Sequence, residues 1–437
     1  MELQILTGRR MDKSQCARFI RQHADDDVRK LALQGVKDTA VDLQMALQQI
    51  AGRQTARRKL PSWAEVDDIV YPPHLNMEQC SSEQTARYKA SLISNATPHS
   101  PGENPSPKGE GSDVFVDLTG GFGVDFYWIS QGFKQRIYIE QNEQLCAISS
   151  NNFEVLGYDC SVCCCDTATY LTTMPHASLV FLDPARRNEH GGRTYGIEDC
   201  SPNVLELLPL LMEKADRILL RLSPMLDWRK AVEDIQKPTT NSQHLMARVS
   251  EVHIVSVDNE CKELLLLLDH QPKETLRVVC VNNDEMTEFA LPSSARSGDV
   301  FRSERTALPH GADDASATSF LYEPNASIMK AGCFDDIESR FHVRQVSVNS
   351  HLFLSSDEID NFPGRKFQIS AISSMNKQEL RTALKAIERA NIAVRNFPMS
   401  VDQLRKKLKL KDGGDVYIFA TTMTDGAHRL FICRKIG

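Results

Sequence analysis

The run Val114-Phe115-Val116-Asp117-Leu118 passes directly into Thr119-Gly120-Gly121-Phe122-Gly123. β-Branched and aromatic residues favour an extended strand, and glycines after them permit a sharp reversal and close approach of a ligand to the backbone. A helix starting at such a turn aims its free amides at whatever the turn holds. This passage predicts an open α/β sheet with a ligand at the carboxyl end of its first strand.

The sequence around it carries the same alternation. VFVDL, DFYWISQGF, RIYIE, NEQLCAISSNNFEVLG, SVCCCD and SLVFLDP switch between strand-like and helix-like patterns, which predicts parallel strands joined by crossover helices. RILLRLS follows a helix predicted from Asn203 to Ala215. EVHIVSV and CKELLLLL are separated only by Asp258-Asn259-Glu260, too little chain for a crossover, so they are predicted to pair as an antiparallel hairpin.

The turn excludes some ligands. It lacks the Lys-Ser/Thr of a phosphate-binding P-loop, and it is not Gly-x-Gly-x-x-Gly. An acid at the strand end, Asp117, suits a pyrophosphate poorly. It suits the methionine end of S-adenosylmethionine, which carries an ammonium and a sulfonium. Glu140 ends the second strand, where a carboxylate accepts hydrogen bonds from ribose hydroxyls, and Asp166 ends the third, within reach of an adenine amine. Thr119, Gly120, Gly121 and Gly123 line the turn; Asp125 either joins the cofactor set or serves as an N-cap or solvated carboxylate.

SLVFL runs into Asp183-Pro184-Ala185-Arg186-Arg187, which places the reaction site at the end of the fourth strand. The position resembles the Asp/Asn-Pro-Pro-aromatic motif of enzymes that methylate amino groups of nucleic-acid bases. Ala185 stands where the second proline would be and Arg186 where the ring would be, which removes a stacking surface. Arg186 and Arg187 are read either as donors to an acidic substrate group or as ion-pair partners of Glu189, Glu198 or Asp199. Methyl transfer from a sulfonium relies chiefly on alignment.

Composition bounds the rest. With 41% hydrophobic and 25% charged residues and no apolar run near the ~20 residues of a bilayer span, a soluble, cytoplasmic protein without membrane contact is expected. Of the twelve cysteines, Cys163, Cys164 and Cys165 are consecutive in a strand-like run, and no pair of Cys-x-x-Cys motifs is present, so reduced thiols and no metal are expected. The net charge of −7 is unevenly spread. Residues 320–437 hold 18 Lys/Arg against 13 Asp/Glu, and the acidic excess lies upstream.

Helix-type spacing of Val41, Leu43, Ala46, Leu47 and Ile50, the prolines near Lys59 and Tyr71, and a hydroxyl cap at Ser81 or Ser82 predict an N-terminal helical domain over 1–94. A Pro/Gly/Ser/Asn-rich linker is expected over 95–113 and the cofactor domain over 114–274. A short β-rich piece around LRVVCVNN and a second polar loop, Ser294 to Thr318, precede a final α/β segment, 320–437.

Taken with these residues, Glu78-Gln79-Cys80-Ser81-Ser82-Glu83, Thr85-Ala86-Arg87-Tyr88-Lys89, Glu260-Cys261-Lys262-Glu263, Tyr322-Glu323-Pro324-Asn325-Ala326 and Gly413-Gly414-Asp415-Val416-Tyr417-Ile418-Phe419 make the chain resemble a bacterial family of class I S-adenosylmethionine-dependent methyltransferases with a C-terminal THUMP-like domain. The resemblance covers nearly the whole chain. It implies a Rossmann-like seven-stranded α/β sheet, a ferredoxin-like small domain over 275–319 and an α+β THUMP-like module over 320–437. It also implies RNA as partner, for which Arg405, Lys406, Lys407, Lys409 and Lys411 would supply phosphate contacts; the same run also reads as an ordinary solvated helix face. The segment around Tyr88 and Lys89 either reaches the methionine carboxylate or braces the sheet. No obligate protein partner is inferred. Modification of an RNA base is the expected activity; the alternatives are methylation of a protein or small molecule, or RNA binding without turnover.

Overall fold

The computed structural model describes residues 15–35, 41–94, 113–186, 196–237, 247–271, 273–292 and 319–436. The expected linker (except Asp113), the polar loop Ser294 to Thr318, Arg187 and the side chain of Arg186 lie outside the described residues. The chain divides into two compact units, residues 1–250 with 266–273, and residues 251–265 with 274–437.

In the first unit the strands are β1 (Val114–Asp117), β2 (Gln135–Glu140), β3 (Ser161–Cys164), β4 (Ala177–Leu182), the two-residue β5 (Ala185–Arg186) and β6 (Cys200–Ser201), β7 (Ala215–Leu222), and portions of β8 (Arg248–Val257) and β9 (Glu260–Asp269). Their order is β3-β2-β1-β4-β7-β9-β8, and β1 pairs in parallel with both β2 and β4. β1 is buried along its length, so both faces of the strand are covered and its run of Val-Phe-Val needs no polar alternation. The crossover helices begin where side chains cap them. Asn142, Asp166, Asn203 and Asp227 each accept an N–H from the first turn. The last of these helices, Trp228–Gln236, buries Trp228, Ala231, Val232 and Ile235, one stripe at helical spacing.

The helices between Gln15 and Ser94 belong to this unit. Trp63 is 1% exposed, and its ring lies 5.3 Å from that of Phe122 in the glycine turn; Ala56, Met77 and Ala86 share a core with Phe122, Val124 and Ile148. Burial of side chains such as Met77 or Ile148 contributes roughly 1.5–3 kcal/mol each. Asn152 adds specificity, since its amide takes both the N–H (2.8 Å) and the carbonyl (2.9 Å) of Val70. Ser82 caps the helix Glu83–Ser94 by accepting Thr85 N–H, close to where the sequence predicts its start.

In the second unit, Asp258 and Asn259 both have positive φ (52° and 60°), which suits the two-residue turn of the β8–β9 hairpin. β10 (Thr275–Asn282) pairs with β8 in parallel and with β11 (Glu285–Pro292) antiparallel, so the sheet predicted with seven strands has nine. A separate seven-stranded sheet contains β12 (Phe320–Pro324), β13 (Arg344–Gln345), β14 (Phe353–Ser355), β15 (Gly364–Ser373), β16 (Asn391–Arg395), β17 (Val416–Thr422) and β18 (His428–Ile436). Its order is β13-β14-β12-β15-β18-β17-β16, with β16 parallel to β17. Leu321, Phe367, Phe419 and Phe431 form the core of one face. Among the described residues no helix is long and apolar enough to cross a membrane.

Candidate active site at the carboxyl ends of the parallel strands

Two glycines of the turn are required by their surroundings. A Cβ on Gly120 would come within 2.1 Å of the Tyr138 ring, and Gly123 has φ +82° with the Phe153 ring 2.7 Å from where a Cβ would sit. Tyr138 fixes the turn further by donating its hydroxyl to Gly121 O at 2.6 Å. The backbone thus folds against aromatic rings on its inner side.

The strand-end acids occur on adjacent strands, as β1 pairs β2 and β2 pairs β3. Asp117 is 1% exposed. Its Oδ1 accepts Thr119 N–H at 2.9 Å, and its Oδ2 is buried with no hydrogen-bond partner among the described residues. Burial pushes the Asp117 carboxyl well above the ordinary aspartate range, against the pull of the Thr119 N–H, and the nearby carboxylates of Asp125, Asp183 and Glu140 add to the rise. Glu140 accepts Gly121 N–H at 2.9 Å and Asn142 N–H at 2.8 Å, so its carboxylate braces the glycine turn. Asp166 is exposed and caps the helix Thr167–Thr173 through Thr169; hydrogen bonds from Thr169 hold its carboxyl below the usual value.

Asp125 is taken up by the N-terminal segment. Ser81 Oγ donates to its Oδ2 at 2.7 Å, and the ammonium of the buried Lys89 lies 3.1 Å from Oδ1. At the fourth strand end, Asp183 N–H donates to Thr119 Oγ1 at 2.6 Å, which ties the Asp183-Pro184 motif to the glycine turn. The Asp183 carboxylate pairs with Arg221 of β7. Desolvation raises the Asp183 carboxyl, and Arg221 opposes the rise. Pro184 is buried, and the chain then returns as the small ribbon of β5 with β6, pairing Arg186 with Cys200.

Asp117, Asp125, Glu140 and Asp183 are therefore brought together, with Thr119 and the glycines between them. Sequence reasoning missed Arg221 and Ser81 as partners. Arg221 sits at an inward position of RILLRLS, where an arginine among buried neighbours signals a nearby acid. The basic run belongs to the second unit. Ser400 and Gln403 form a capping box for the helix Val401–Leu408, which buries Leu404. Arg405 pairs with Asp402 and Asp412, whereas Lys406, Lys407, Lys409 and Lys411 are exposed.

Family models match the C-terminal part of the chain: a ferredoxin-like domain at residues 320–363 and a THUMP domain-like region at 364–435. The ferredoxin-like stretch so matched lies downstream of the expected 275–319, whose described strands are β10 and β11. A crystal structure of a "putative methyltransferase" from Porphyromonas gingivalis W83 is 28% identical, with 100% of this chain and 98% of that chain covered and a TM-score of 0.77. A "putative class I S-adenosylmethionine-dependent methyltransferase" from Listeria monocytogenes is 10% identical over 64% of this chain and 90% of that one, with a TM-score of 0.36. No curated protein matches. Strand order and full-length likeness give the chain the fold of class I methyltransferases, and its C-terminal part is similar to THUMP domains.

Proposed function

We propose that the protein is an S-adenosylmethionine-dependent methyltransferase that modifies an RNA base. The observation that carries the cofactor reading is Asp117 Oδ2, a buried and unpartnered oxygen beside a turn too tight for side chains. An orphaned carboxylate oxygen is costly unless a cation reaches it, and the cofactor's ammonium is such a cation. The Asp125 and Asp183 charges are already matched by Lys89 and Arg221, which leaves Asp117 and Glu140 to receive the ligand.

In this reading Asp117 holds the ammonium, Glu140 the ribose hydroxyls and Asp166 the adenine edge, while Thr119 and Gly120, Gly121 and Gly123 shape the floor. Bound S-adenosylmethionine supplies the electrophilic methyl group. Asp183 and Pro184 orient the acceptor, with Arg221 and Thr119 holding Asp183 in place. RNA as the substrate class is supported by the THUMP domain-like match and by the exposed Lys406, Lys407, Lys409 and Lys411. A protein or small-molecule acceptor is the second reading, favoured by Ala185 in place of a proline and by the ion pair that occupies Asp183.

Calorimetry with S-adenosylmethionine tests the cofactor reading. Binding in the micromolar to millimolar range is expected for the natural sequence and a loss of at least tenfold for Asp117→Asn; no binding by either ends the proposal. Transfer of labelled methyl to fractionated RNA, followed by identification of the nucleoside, tests the substrate.

A further inference from the structure

The Tyr322-Glu323-Pro324-Asn325-Ala326 motif has no part in methyl transfer as read above. Its Glu323 lies in β12 with a side chain only 4% exposed, yet two guanidiniums converge on it. Arg365, opposite Glu323 in β15, donates Nε and Nη2 to Oε2. Arg395, at the end of β16, donates Nη2 to Oε1 at 2.7 Å.

A buried carboxylate needs one cation for neutrality. Two are present here, so the cluster keeps one positive charge in excess. The arginines are 41% and 39% exposed, and the Nη1 groups of both make no hydrogen bond among the described residues. Arg395 Nε is buried without a partner, as is the hydroxyl of Thr421, which faces Arg395 across the β16–β17 pair. Donors therefore outnumber acceptors at this place. His351 nearby adds no charge at neutral pH, since burial and the Arg395 cation hold its ring below the ordinary histidine value.

We propose that Arg365 and Arg395 form a phosphate-gripping site for the backbone of a bound RNA, with Glu323 as the strut that holds both guanidiniums in place. Planar guanidinium forks match phosphate oxygens in pairs of hydrogen bonds. Anchoring by Glu323 removes much of the side-chain freedom that binding would otherwise have to quench. Lys406, Lys407, Lys409 and Lys411 differ in kind: exposed, on long flexible stems, they attract a polyanion without fixing its register. The assignment of the phosphate to RNA rests on the substrate reading above, whereas the phosphate site itself does not.

The test is calorimetry on the full chain with inorganic pyrophosphate and, separately, with a single-stranded oligouridylate. Glu323→Gln, Arg365→Gln and Arg395→Gln combined remove the cluster without stranding a charge. Arg365→Lys with Arg395→Lys keeps both charges and gives the readout if the first variant fails to fold. The natural sequence should bind both probes. The triple variant should bind each at least tenfold more weakly, with the salt dependence of oligouridylate binding shallower by about 0.7 per lost phosphate contact, and the lysine variant at least fivefold more weakly with an unchanged thermal midpoint. Lys406→Ala with Lys407→Ala should leave pyrophosphate binding within twofold. Pyrophosphate that fails to bind at about 10 mM, or that binds both arginine variants as well as the natural sequence, overturns the site. Pyrophosphate held through the arginines without any RNA binding keeps the site and removes RNA as its ligand. Displacement of pyrophosphate by an oligoglutamate as readily as by RNA overturns the phosphate assignment.

Discussion

The ammonium of Lys89 sits 3.1 Å from Asp125 Oδ1 and 3.0 Å from Ser81 Oγ, and Lys89 has no exposed surface. This contact joins the helix Glu83–Ser94 to the first helix of the sheet, Val124–Ile129. Removing the cation alone leaves a carboxylate that is almost fully enclosed. Lys89→Met is therefore expected to destabilise the fold by about 3–5 kcal/mol, and Lys89→Met with Asp125→Leu by less than Lys89→Met alone. Urea denaturation decides the point, and a Lys89→Met value within about 1 kcal/mol of the natural sequence would contradict it.

Gly120→Ala drives a methyl group into the Tyr138 ring, and Gly123→Ala adds left-handed strain to a clash with Phe153. Overpacking costs about 1–3 kcal/mol and the strained backbone about 1–2 kcal/mol more. Both variants should melt earlier, Gly123→Ala the more so, and bind S-adenosylmethionine at least tenfold more weakly. Differential scanning calorimetry and titration measure the two effects on one sample.

With Asp117 as the proposed holder of the ammonium, cofactor affinity is expected to depend on pH. Its carboxyl is raised in the folded protein, so the charged form is disfavoured there and becomes a stability cost as pH rises above the unfolded value of about 3.9. Acid relieves that cost and neutral pH imposes it. Asp117→Asn without cofactor should therefore unfold at a higher temperature than the natural sequence at pH 7. A bound ammonium favours the ionised form, so affinity for S-adenosylmethionine should fall as pH drops through the raised value, with proton release on binding. Titrations in buffers of different ionisation enthalpy would show the proton, and none should appear for Asp117→Asn.

Arg221 holds Asp183 from one side while Thr119 holds its backbone from the other. Loss of one constraint should misplace the acceptor more than the cofactor. Arg221→Gln is expected to lower kcat about 10–100-fold and to change the Kd for S-adenosylmethionine by less than about threefold. Partial recovery in Arg221→Lys would mark the charge, and a matched loss of cofactor affinity would place Arg221 in the binding site instead.

In the second unit, hydrogen bonding from His253, together with Arg277, holds the Glu251 carboxyl down at about 2. A depressed carboxyl stabilises the fold above its unfolded value of about 4.3 and ceases to do so as pH falls toward 2. Glu251→Gln should flatten the acid limb of the stability curve between those values and leave its slope above pH 6 unchanged.

The strand and glycine turn were readable because their constraints are local: a buried strand, then glycines at a sharp reversal, with acids at successive strand ends. The hairpin of β8 and β9 was readable because two residues cannot cross a sheet. The link between Thr119 and Asp183 spans 64 residues and leaves no pattern at either end. The place of β10 in the sheet is hidden for a similar reason. It follows β9 in the chain but pairs with β8, since the far side of β9 already faces β7. Asp166 and Asp125 show how one residue type serves two ends, as their carboxylates in this structure cap a helix and meet a lysine. The exposed lysines of the basic run were visible as charge, but the neutralisation of Arg405 by Asp402 and Asp412 needed the helix to be folded.

Trp63, Tyr71 and Val70 grip Phe122 and Asn152 from a stretch that ends before the polar residues 95–112 begin. The covalent tie through those residues is therefore dispensable to this grip. Two co-expressed fragments, one ending at Ser94 and the other starting at Asp113, should copurify as a complex, while the second alone would bare an oily patch and a stranded acid and fall out of solution.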